Sequence, residues 1–405
     1  MKVAFVVSSF PSLSEKFVLD QITGLLDRGC DVHIFADYDP GELQVHPDFT
    51  RYDLGNRTHY FSAPPANKIR RFLKAASVIM PALAKSPSKA ALYCFRIFCG
   101  LEKSPLRQLC LVAEIAEERF DIIHCHFGPN GNKVMVLKKL GYSAKLVITF
   151  HGYDVTVSFR QKGSDIYKEL LGLADMFTYN SDATKRVMLG FDCPVEKMVK
   201  LPMGVHLDRI QFSERMVGPD GVIRLLSVGR LVEMKGREYA IRAVARVLKK
   251  YPNIDYTIVG DGVERPKIER LIKEIGVANN IHLVGWVDDK HLDEFYRTCH
   301  IFIHPSVTAS DGNMEGQGVV LVEAQASGMP ILATLHNAFL ETVNDGHSGY
   351  LVPERDVDAL AERLEYMLSH PEKWSEMGRM GRAHAMKYDL KPLNDKLLEL
   401  YKEFL

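Results

Sequence analysis

The feature that most constrains this chain is a recurring unit: a short, unbroken apolar run rich in β-branched residues, then a turn, then a helical pattern. Val3–Val7, Asp31–Ala36, Ile122–Cys125, Leu146–Phe150 and Met176–Tyr179 form one series. Ile223–Val228, Asp255–Val259, Ile281–Val284, Ile301–His304 and Ile331–Ala333 form a second. Runs that are continuous rather than alternating predict strands buried on both faces. Helices between successive strands demand right-handed crossovers, and therefore parallel sheets. Two series predict an α/β protein with two Rossmann-like domains. The length of 405 residues agrees, since a single core rarely grows that large.

The join is expected near Leu201-Pro-Met-Gly-Val205, where Pro and Gly set a hinge. An irregular stretch, 206–222, follows and contains the turn cluster Gly218-Pro-Asp-Gly221. Ser12-x-x-Glu15 reads as a capping box for the first helix, whose buried stripe is Phe17, Ile22, Leu25 and Leu26.

Composition narrows the function classes. Lys+Arg and Asp+Glu are equal at 51 each, so no global field attracts nucleic acid. The seven cysteines (30, 94, 99, 110, 125, 193, 299) form neither a CxxC pair nor a zinc spacing, which fits reduced thiols in a cytoplasm. The start, MKVAFVVSSFPSLSEKF, has too short an apolar run for a signal peptide, and no stretch reaches 18 apolar residues. Charge is uneven, however. Residues 67–107 carry nine Lys/Arg against one acid, Glu102. Ile69, Phe72, Leu73, Ala76 and Met80 recur there at helical spacing among Arg70, Arg71 and Lys74, before Pro81 stops or kinks the helix. Ser88–Leu101 repeats the theme with Leu92, Tyr93, Phe95, Ile97 and Phe98 around Lys89 and Arg96. Two readings follow: a basic amphipathic face for an anionic membrane surface, or an insert that buries its apolar stripe and solvates its cations.

The turn after the first strand, Ser8-Ser-Phe-Pro-Ser-Leu-Ser-Glu15, has no glycine, so the dinucleotide fingerprint GxGxxG is missing. This argues against NAD or FAD. In the second series, Ser227-Val-Gly-Arg-Leu-Val-Glu-Met-Lys-Gly236 places Arg230 and Lys235 on one strand-to-helix loop at the carboxyl edge of a sheet. Open α/β sheets bind ligands at that edge. The two cations suit a diphosphate, the alternative being a solvated loop. Gly312-Asn-Met-Glu-Gly-Gln-Gly-Val-Val-Leu-Val-Glu-Ala324 puts Gly316 and Gly318 at a helix start, where free N–H groups favour an anion. Glu315 lies in the loop before this helix. Glu323 lies in its early turns among apolar neighbours and needs a partner, either a ribose diol or an internal Lys or Arg. Val259-Gly-Asp-Gly262 and Val284-Gly-Trp-Val287 end strands with glycines that let backbone approach a ligand. His151, in Phe150-His-Gly-Tyr-Asp154, follows a strand of the first series and is either a cleft residue or a satisfied structural histidine. His124 and His126 share one strand face and Cys125 takes the other, so the three cannot converge on a metal.

Together these segments resemble the family-4 retaining glycosyltransferases of the GT-B fold, in which two Rossmann-like domains face a central cleft. The resemblance rests on Gly229-Arg-Leu-Val-Glu-Met-Lys-Gly236, Gly260-Asp-Gly262, Gly285-Trp286, His304-Pro-Ser306, and Glu315-x7-Glu323 with Ala324-Gln-Ala-Ser-Gly328. Phe150-His-Gly-Tyr-Asp-Val155 and Leu201-Pro-Met-Gly-Val205 match the amino-terminal domain and hinge. It implies an acceptor domain over 1–205 and a donor domain over 206–388, with a final helix, 389–405, returning to the first. It implies a UDP- or GDP-sugar donor, no cofactor and no metal, and transfer of a hexose-type sugar with retention to a glycan or lipid-linked acceptor. Arg230 and Lys235 would then grip the diphosphate, Glu323 the ribose, and Glu315 the sugar and phosphate. His151 would face the transferred sugar. Gly260, Asp261, Gly262, Gly285, Trp286, Gly316, Gln317, Gly318 and Val319 would line the donor. The loop Phe10-Pro-Ser-Leu-Ser-Glu-Lys-Phe17 departs from the Gly-Gly turn of many members and resembles exopolysaccharide enzymes of the colanic-acid type. Ser14 and Glu15 are then expected either to replace the glycine-based phosphate contact or to contact the acceptor, with Asp154 on the acceptor side. Such an enzyme is expected in the cytoplasm, with peripheral attachment to the inner membrane face through residues 67–107.

A nucleotide-sugar epimerase shares this architecture and needs no second sugar. The Arg230/Lys235 loop and the Glu315/Glu323 spacing favour transfer, and products formed from donor alone separate the two. A catalytically silent binding module would be expected to lack the cationic pair. A phosphorylase would need a lysine motif for pyridoxal phosphate.

Overall fold

The computed structural model describes every residue except 13–14, 42–44, 62–63, 103, 153 and 155–162. The chain divides into two compact units, Met1–Leu201 with Lys391–Leu405, and Pro202–Leu390. The division falls ahead of Val205 for a local reason. Val205 N–H donates to Tyr388 O at 2.8 Å, and Leu390 N–H donates to Val205 O at 3.0 Å. The Gln317 side-chain amide brackets Met203, accepting from its N–H and donating to its carbonyl, both at 2.8 Å.

The first unit holds a seven-stranded parallel sheet of order β3-β2-β1-β4-β5-β6-β7. Its strands are β1 (Lys2–Ser9), β2 (Asp31–Tyr38), β3 (Thr58–Tyr60), β4 (Ile122–His126), β5 (Lys145–Phe150), β6 (Met176–Tyr179) and β7 (Met198–Lys200). The second unit holds a six-stranded parallel sheet of order β10-β9-β8-β11-β12-β13. Here the strands are β8 (Ile223–Val228), β9 (Ile254–Val259), β10 (Ile281–Gly285), β11 (Ile301–His304), β12 (Ile331–Thr334) and β13 (Gly349–Val352).

Period-two geometry explains why both sheets read as unbroken apolar runs. In β1, Ala4 and Val6 enter one core while Val3, Phe5 and Val7 enter the other. In β8, Ile223 and Leu225 face one core and Leu226 and Val228 the other. Each central strand is covered on both faces, so neither face tolerates polar alternation. Leu397 and Tyr401 of the final helix, Leu390–Glu403, are buried with Ile22 and Leu25 of the first helix, Lys16–Asp27.

Two local expectations can be placed. The first helix begins at Lys16 with Glu15 as its N-cap and no side-chain cap bond. Glu15 N–H donates to Ser12 O at 3.2 Å, and residues 13–14 between them lie outside the described residues. The helix Lys68–Lys85 does not stop at Pro81 but runs through it. Its following residue, Ala82, is buried and holds the last turn on the core.

Candidate active site

In a parallel sheet all carboxyl ends lie at one edge, and each unit gathers its polar side chains there. In the first unit, β4 ends at His126 and β5 is followed at once by His151. His126 Nδ1 and His151 Nε2 are hydrogen-bonded at 2.9 Å, with the rings stacked at 12°. Phe5 stacks on His126, while Phe17 and Phe127 flank His151. Burial pushes His126 down to about 3 and holds His151 well below the usual histidine range, so both rings are neutral. His126 Nε2 and His151 Nδ1 are buried without a partner among the described residues. Below them His124 bonds Tyr401 Oη at 2.5 Å and Thr149 Oγ1 at 2.6 Å. Cys125 lies in the opposite core.

Asp154 is fully buried. One carboxylate oxygen accepts from the N–H groups of His151 and Gly152 at 3.1 and 3.0 Å, and the other from Gly128 N–H at 3.1 Å. Burial still raises its carboxyl above the usual range despite these bonds. This side chain sets the His151 loop. Ser14 lies outside the described residues. Glu15 is half-buried at the start of the first helix.

In the second unit the loops after β8, β9 and β10 are zipped by backbone. Gly229 N–H donates to Val259 O, Leu231 N–H to Asp261 O, and Gly260 N–H to Gly285 O. Gly260 has φ +125°, and a Cβ there would lie 2.2 Å from Gly229 O, so only glycine permits this approach. The Asp261 carboxylate accepts from Gly262 N–H at 2.7 Å and meets Arg265 Nη1 at 3.2 Å. Trp286 is exposed.

The two cations of the β8 loop differ sharply. Arg230 is exposed and makes no ion pair with the described residues. Lys235 is buried and ion-paired through Nζ to Glu315 Oε1. The solvated-loop alternative therefore fails for Lys235. Gly236 makes this possible: at φ +59°, a Cβ there would meet Pro305 O at 2.0 Å, so the loop closes against the segment after β11.

Glu315 organises the rest. Its second oxygen accepts from His304 Nε2 at 2.7 Å and Ser306 Oγ at 2.5 Å. Its backbone N–H donates to His336 Nε2 at 3.0 Å, and its carbonyl accepts from Asn337 Nδ2 at 2.6 Å. Because His336 Nε2 accepts, its Nδ1 carries the proton and donates to Glu354 Oε1 at 2.5 Å. Glu354 also accepts from Thr308 N–H at 2.8 Å. Burial alone would raise the Glu315 carboxyl, but His304 and Lys235 more than offset it and hold it well below the usual range. Burial lowers Lys235 and pushes His304 down to about 4, so His304 is neutral. The result is an ionised glutamate that neither gives nor takes a proton at neutral pH.

Gly316, Gln317 and Gly318 then lead into the helix Val319–Ala326, with Gly318 as its N-cap at φ 71°. The Gln317 side chain is spent on Met203, and its carbonyl accepts from Thr342 Oγ1 at 2.8 Å. Glu323 is half-buried and accepts from Tyr296 Oη at 2.8 Å. His336 and Glu354 were not singled out from sequence, while His304 and Ser306 entered only within the His304-Pro-Ser306 segment of the resemblance, with no role attached. Each follows or ends a strand at the carboxyl edge, which is the signal that finds them. A cavity of about 320 Å³ beside Arg119, Phe120 and Tyr142 lies at the amino ends of β4 and β5, away from this chemistry. Among the described residues no cluster could hold a metal, and no helix is long and apolar enough to cross a membrane.

Residues 209–384 match the family model described as glycosyl transferases group 1, and residues 77–209 match glycosyltransferase family 4. The Escherichia coli protein WcaL, named for colanic acid biosynthesis, is 33% identical over 368 residues, covering 90% of each chain. The chain is a family-4 glycosyltransferase. The Erwinia amylovora amylovoran biosynthesis glycosyltransferase AmsK is 32% identical to it over 374 residues, again 90% of each chain. The glycosyltransferase also superimposes on solved structures. Anabaena HepE in complex with UDP matches with a TM-score of 0.74 at 18% identity, over 100% of both chains. Sucrose-phosphate synthase from Thermosynechococcus elongatus matches with 0.74 at 20% identity, over 100% of this chain and 98% of that one. The fold is GT-B.

The buried histidines generate a pH prediction. His124, His126, His151, His300, His304 and His384 are all held below their ordinary range, with burial the largest cause in each. The unfolded chain takes up protons near pH 6.5 that the folded enzyme refuses. Stability is therefore full above about pH 7 and falls as pH drops, by at most about 1.4 kcal/mol per pH unit for each histidine until its own folded-state value is reached, which for His300 and His304 is about 4. Glu315, lowered in the fold, adds a further loss below the ordinary carboxylate range. Asp154, raised, acts in the opposite sense there. Urea midpoints at pH 7.5, 6 and 5 should fall steeply; a flat profile contradicts the neutral, buried assignment.

Proposed function

We propose that this glycosyltransferase moves a hexose-type sugar from a UDP- or GDP-sugar to a glycan or lipid-linked acceptor in exopolysaccharide biosynthesis, with retention of configuration. The observation that carries the reading is the β8 loop. It presents exposed Arg230 beside Lys235, whose ammonium is fixed by a glutamate that cannot titrate. A leaving diphosphate develops negative charge as the glycosidic bond breaks, and fixed cations stabilise it without reorganising. The names of WcaL and AmsK support the exopolysaccharide setting. The solved complexes of HepE with UDP, and with UDP and glucose, support a nucleotide-sugar donor for a chain of this fold.

In this mechanism the acceptor hydroxyl oxygen forms the new bond to the anomeric carbon as the bond from that carbon to the phosphate oxygen breaks. The departing phosphate oxygen takes the acceptor's proton on the same face, so configuration is kept. Arg230 and Lys235 hold the diphosphate. Glu315, acceptor-only, takes hydrogen bonds from sugar hydroxyls, and the backbone of Gly316–Val319 meets the phosphate. Glu323 receives the ribose diol. We assign neutral His151 to the transferred sugar, with Gly260–Gly262 and Gly285–Trp286 towards the nucleoside.

A panel of nucleotide sugars with a hydrolysis readout tests this without knowing the acceptor. One UDP- or GDP-hexose should be turned over. Arg230→Ala should reduce that turnover by roughly 10²–10³ with an unchanged unfolding midpoint, because the side chain is exposed. Hydrolysis of none of the panel, or a normal rate in the variant, sinks the reading.

We further assign residues 67–107 to an anionic membrane surface, where a lipid-linked acceptor would reside. The helix Lys68–Lys85 buries its small face, Ala75, Val78 and Ala82, and leaves Ile69, Phe72, Leu73 and Met80 exposed. The helix Pro87–Phe98 likewise buries Ala90 and Tyr93 and exposes Leu92, Phe95 and Phe98, the last 89% accessible. An insert that buried its large apolar stripe would show the reverse. Exposed Lys68, Arg70, Lys85 and Lys89 rim the patch, and each cation near an anionic leaflet contributes about 1 kcal/mol. The enzyme should sediment with phosphatidylglycerol liposomes at low salt and release at high salt. Failure to pellet at low salt, or an unchanged result after reversing Lys68, Arg70 and Lys85 to Glu, removes the assignment.

A further inference from the structure

Arg237 opens the helix Arg237–Val247, directly after the β8 loop, and is only 2% exposed. A buried guanidinium normally spends its five donors on acceptors. This one makes a single hydrogen bond, from Nη2 to Val228 O at 2.7 Å. Its Nε and Nη1 are buried with no partner among the described residues. The nearby tyrosines do not serve it. Tyr256 Oη is bonded to Ser227 Oγ at 2.7 Å, and Tyr296 Oη donates to Glu323.

Its position is telling. A methyl group built on Gly229 would lie 3.2 Å from Arg237 Nη2 and 3.8 Å from Lys235 Nζ. The guanidinium and the ammonium therefore press on the underside of the same glycine, in the loop that exposes Arg230. Glu315 is the acid paired to this group, and it already neutralises Lys235. His304 is uncharged. Counting Arg230, Lys235 and Arg237 against Glu315 and the exposed Glu233, which accepts from Ser310, the turn keeps one positive charge unbalanced, and among the described residues no acid is hydrogen-bonded to the buried Arg237. An apolar chain of similar length would fill Arg237's place at a smaller desolvation cost. What offsets an uncompensated buried cation is an anion arriving above it.

We propose that Arg237 is a third cation of the donor site. It is a positioning residue whose fixed charge beneath the Gly229 turn raises affinity for the diphosphate of a nucleoside diphosphate. It acts through Gly229 and Lys235 rather than by touching the phosphates, since its own nitrogens are sealed from solvent. The inference rests on the donor reading above and adds to it a residue that the loop's exposed cation does not reveal. The charge works before any substrate binds: its desolvation cost is met in folding, so none is incurred when the anion arrives.

The test pairs binding with stability in Arg237→Met and Arg237→Lys. Calorimetry with UDP and GDP reports the diphosphate. Saturation-transfer NMR with uridine and guanosine reports the base and ribose alone. Arg237→Met should bind the preferred nucleoside diphosphate at least about tenfold more weakly, leave nucleoside binding unchanged, and unfold at the same urea concentration or a higher one. Arg237→Lys should recover most of the loss and restore the salt dependence of diphosphate binding. A purely structural arginine gives another pattern: a lower unfolding midpoint with diphosphate affinity intact, or equal losses for diphosphate and nucleoside. Either result overturns the proposal. If Arg237→Met fails to fold, Arg237→Lys decides alone. A folded Lys variant with unchanged affinity and salt slope supports a charge role, and one that loses affinity despite its charge contradicts it. Arg230→Ala separates the two layers of the argument. If it weakens diphosphate binding while Arg237→Met does not, only the Arg237 proposal fails. If neither variant changes affinity, the donor reading fails with it.

Discussion

The buried Lys235–Glu315 ion pair is the constraint on which the second unit's chemistry depends. Two charges removed from water are tolerated only when each is well met, and losing one partner strands the other. Here the Glu315 carboxylate is met three times, by Lys235, His304 and Ser306, and its backbone is held by His336 and Asn337. This fixes the loop after β8 to the loop after β11, because Lys235 belongs to one and Glu315 to the other. The geometry of the cationic turn, the start of the helix Val319–Ala326 and the ionised state of Glu315 all follow from it.

Parallel topology makes such a pair available. Strands β8, β11 and β12 are neighbours in the sheet, so Lys235, Glu315 and His336 arrive at one edge although they are distant in sequence. The hydrophobic cores on both faces hold that edge still. The first unit repeats the logic with different chemistry. Neighbouring β4 and β5 deliver His126 and His151, and Asp154 ties the loop to three backbone N–H groups. Burial keeps these imidazoles neutral, whereas in the second unit the Lys235 and Glu315 charges are kept and paired.

Much of this was legible in the sequence, for identifiable reasons. Nine of the ten strands read from the sequence are largely buried on both faces, which leaves an apolar run; edge strand β10 is the exception, with His282 and Val284 exposed. Strands β3, β7 and β13 were not read from it, since Thr58–Tyr60, Met198–Lys200 and Gly349–Val352 are short and lie at sheet edges, where burial imposes little pattern. Arg230 and Lys235 looked alike in sequence and are opposites in structure. The difference comes from Glu315, 80 residues away, which no local pattern connects to Lys235. Asp154 is buried and holds three backbone N–H groups, a role that no local sequence pattern announces. The amphipathic stripe of residues 69–80 was read correctly as a stripe, but its larger side chains face outward. Periodicity identifies two faces of a helix without saying which one the core will take.

The central claim is that the cationic turn Gly229–Gly236 and the Glu315–Val319 segment together form the donor-diphosphate site. Hydrogen–deuterium exchange measured with and without UDP and GDP tests it most directly, because a bound diphosphate must protect the amides it meets. Within the second unit, slowed exchange should concentrate at residues 229–236 and 315–319, with smaller changes at 260–262 and 285–286. Protection that spares those segments and appears instead elsewhere on the chain, such as around the Arg119–Tyr142 cavity, would contradict the account.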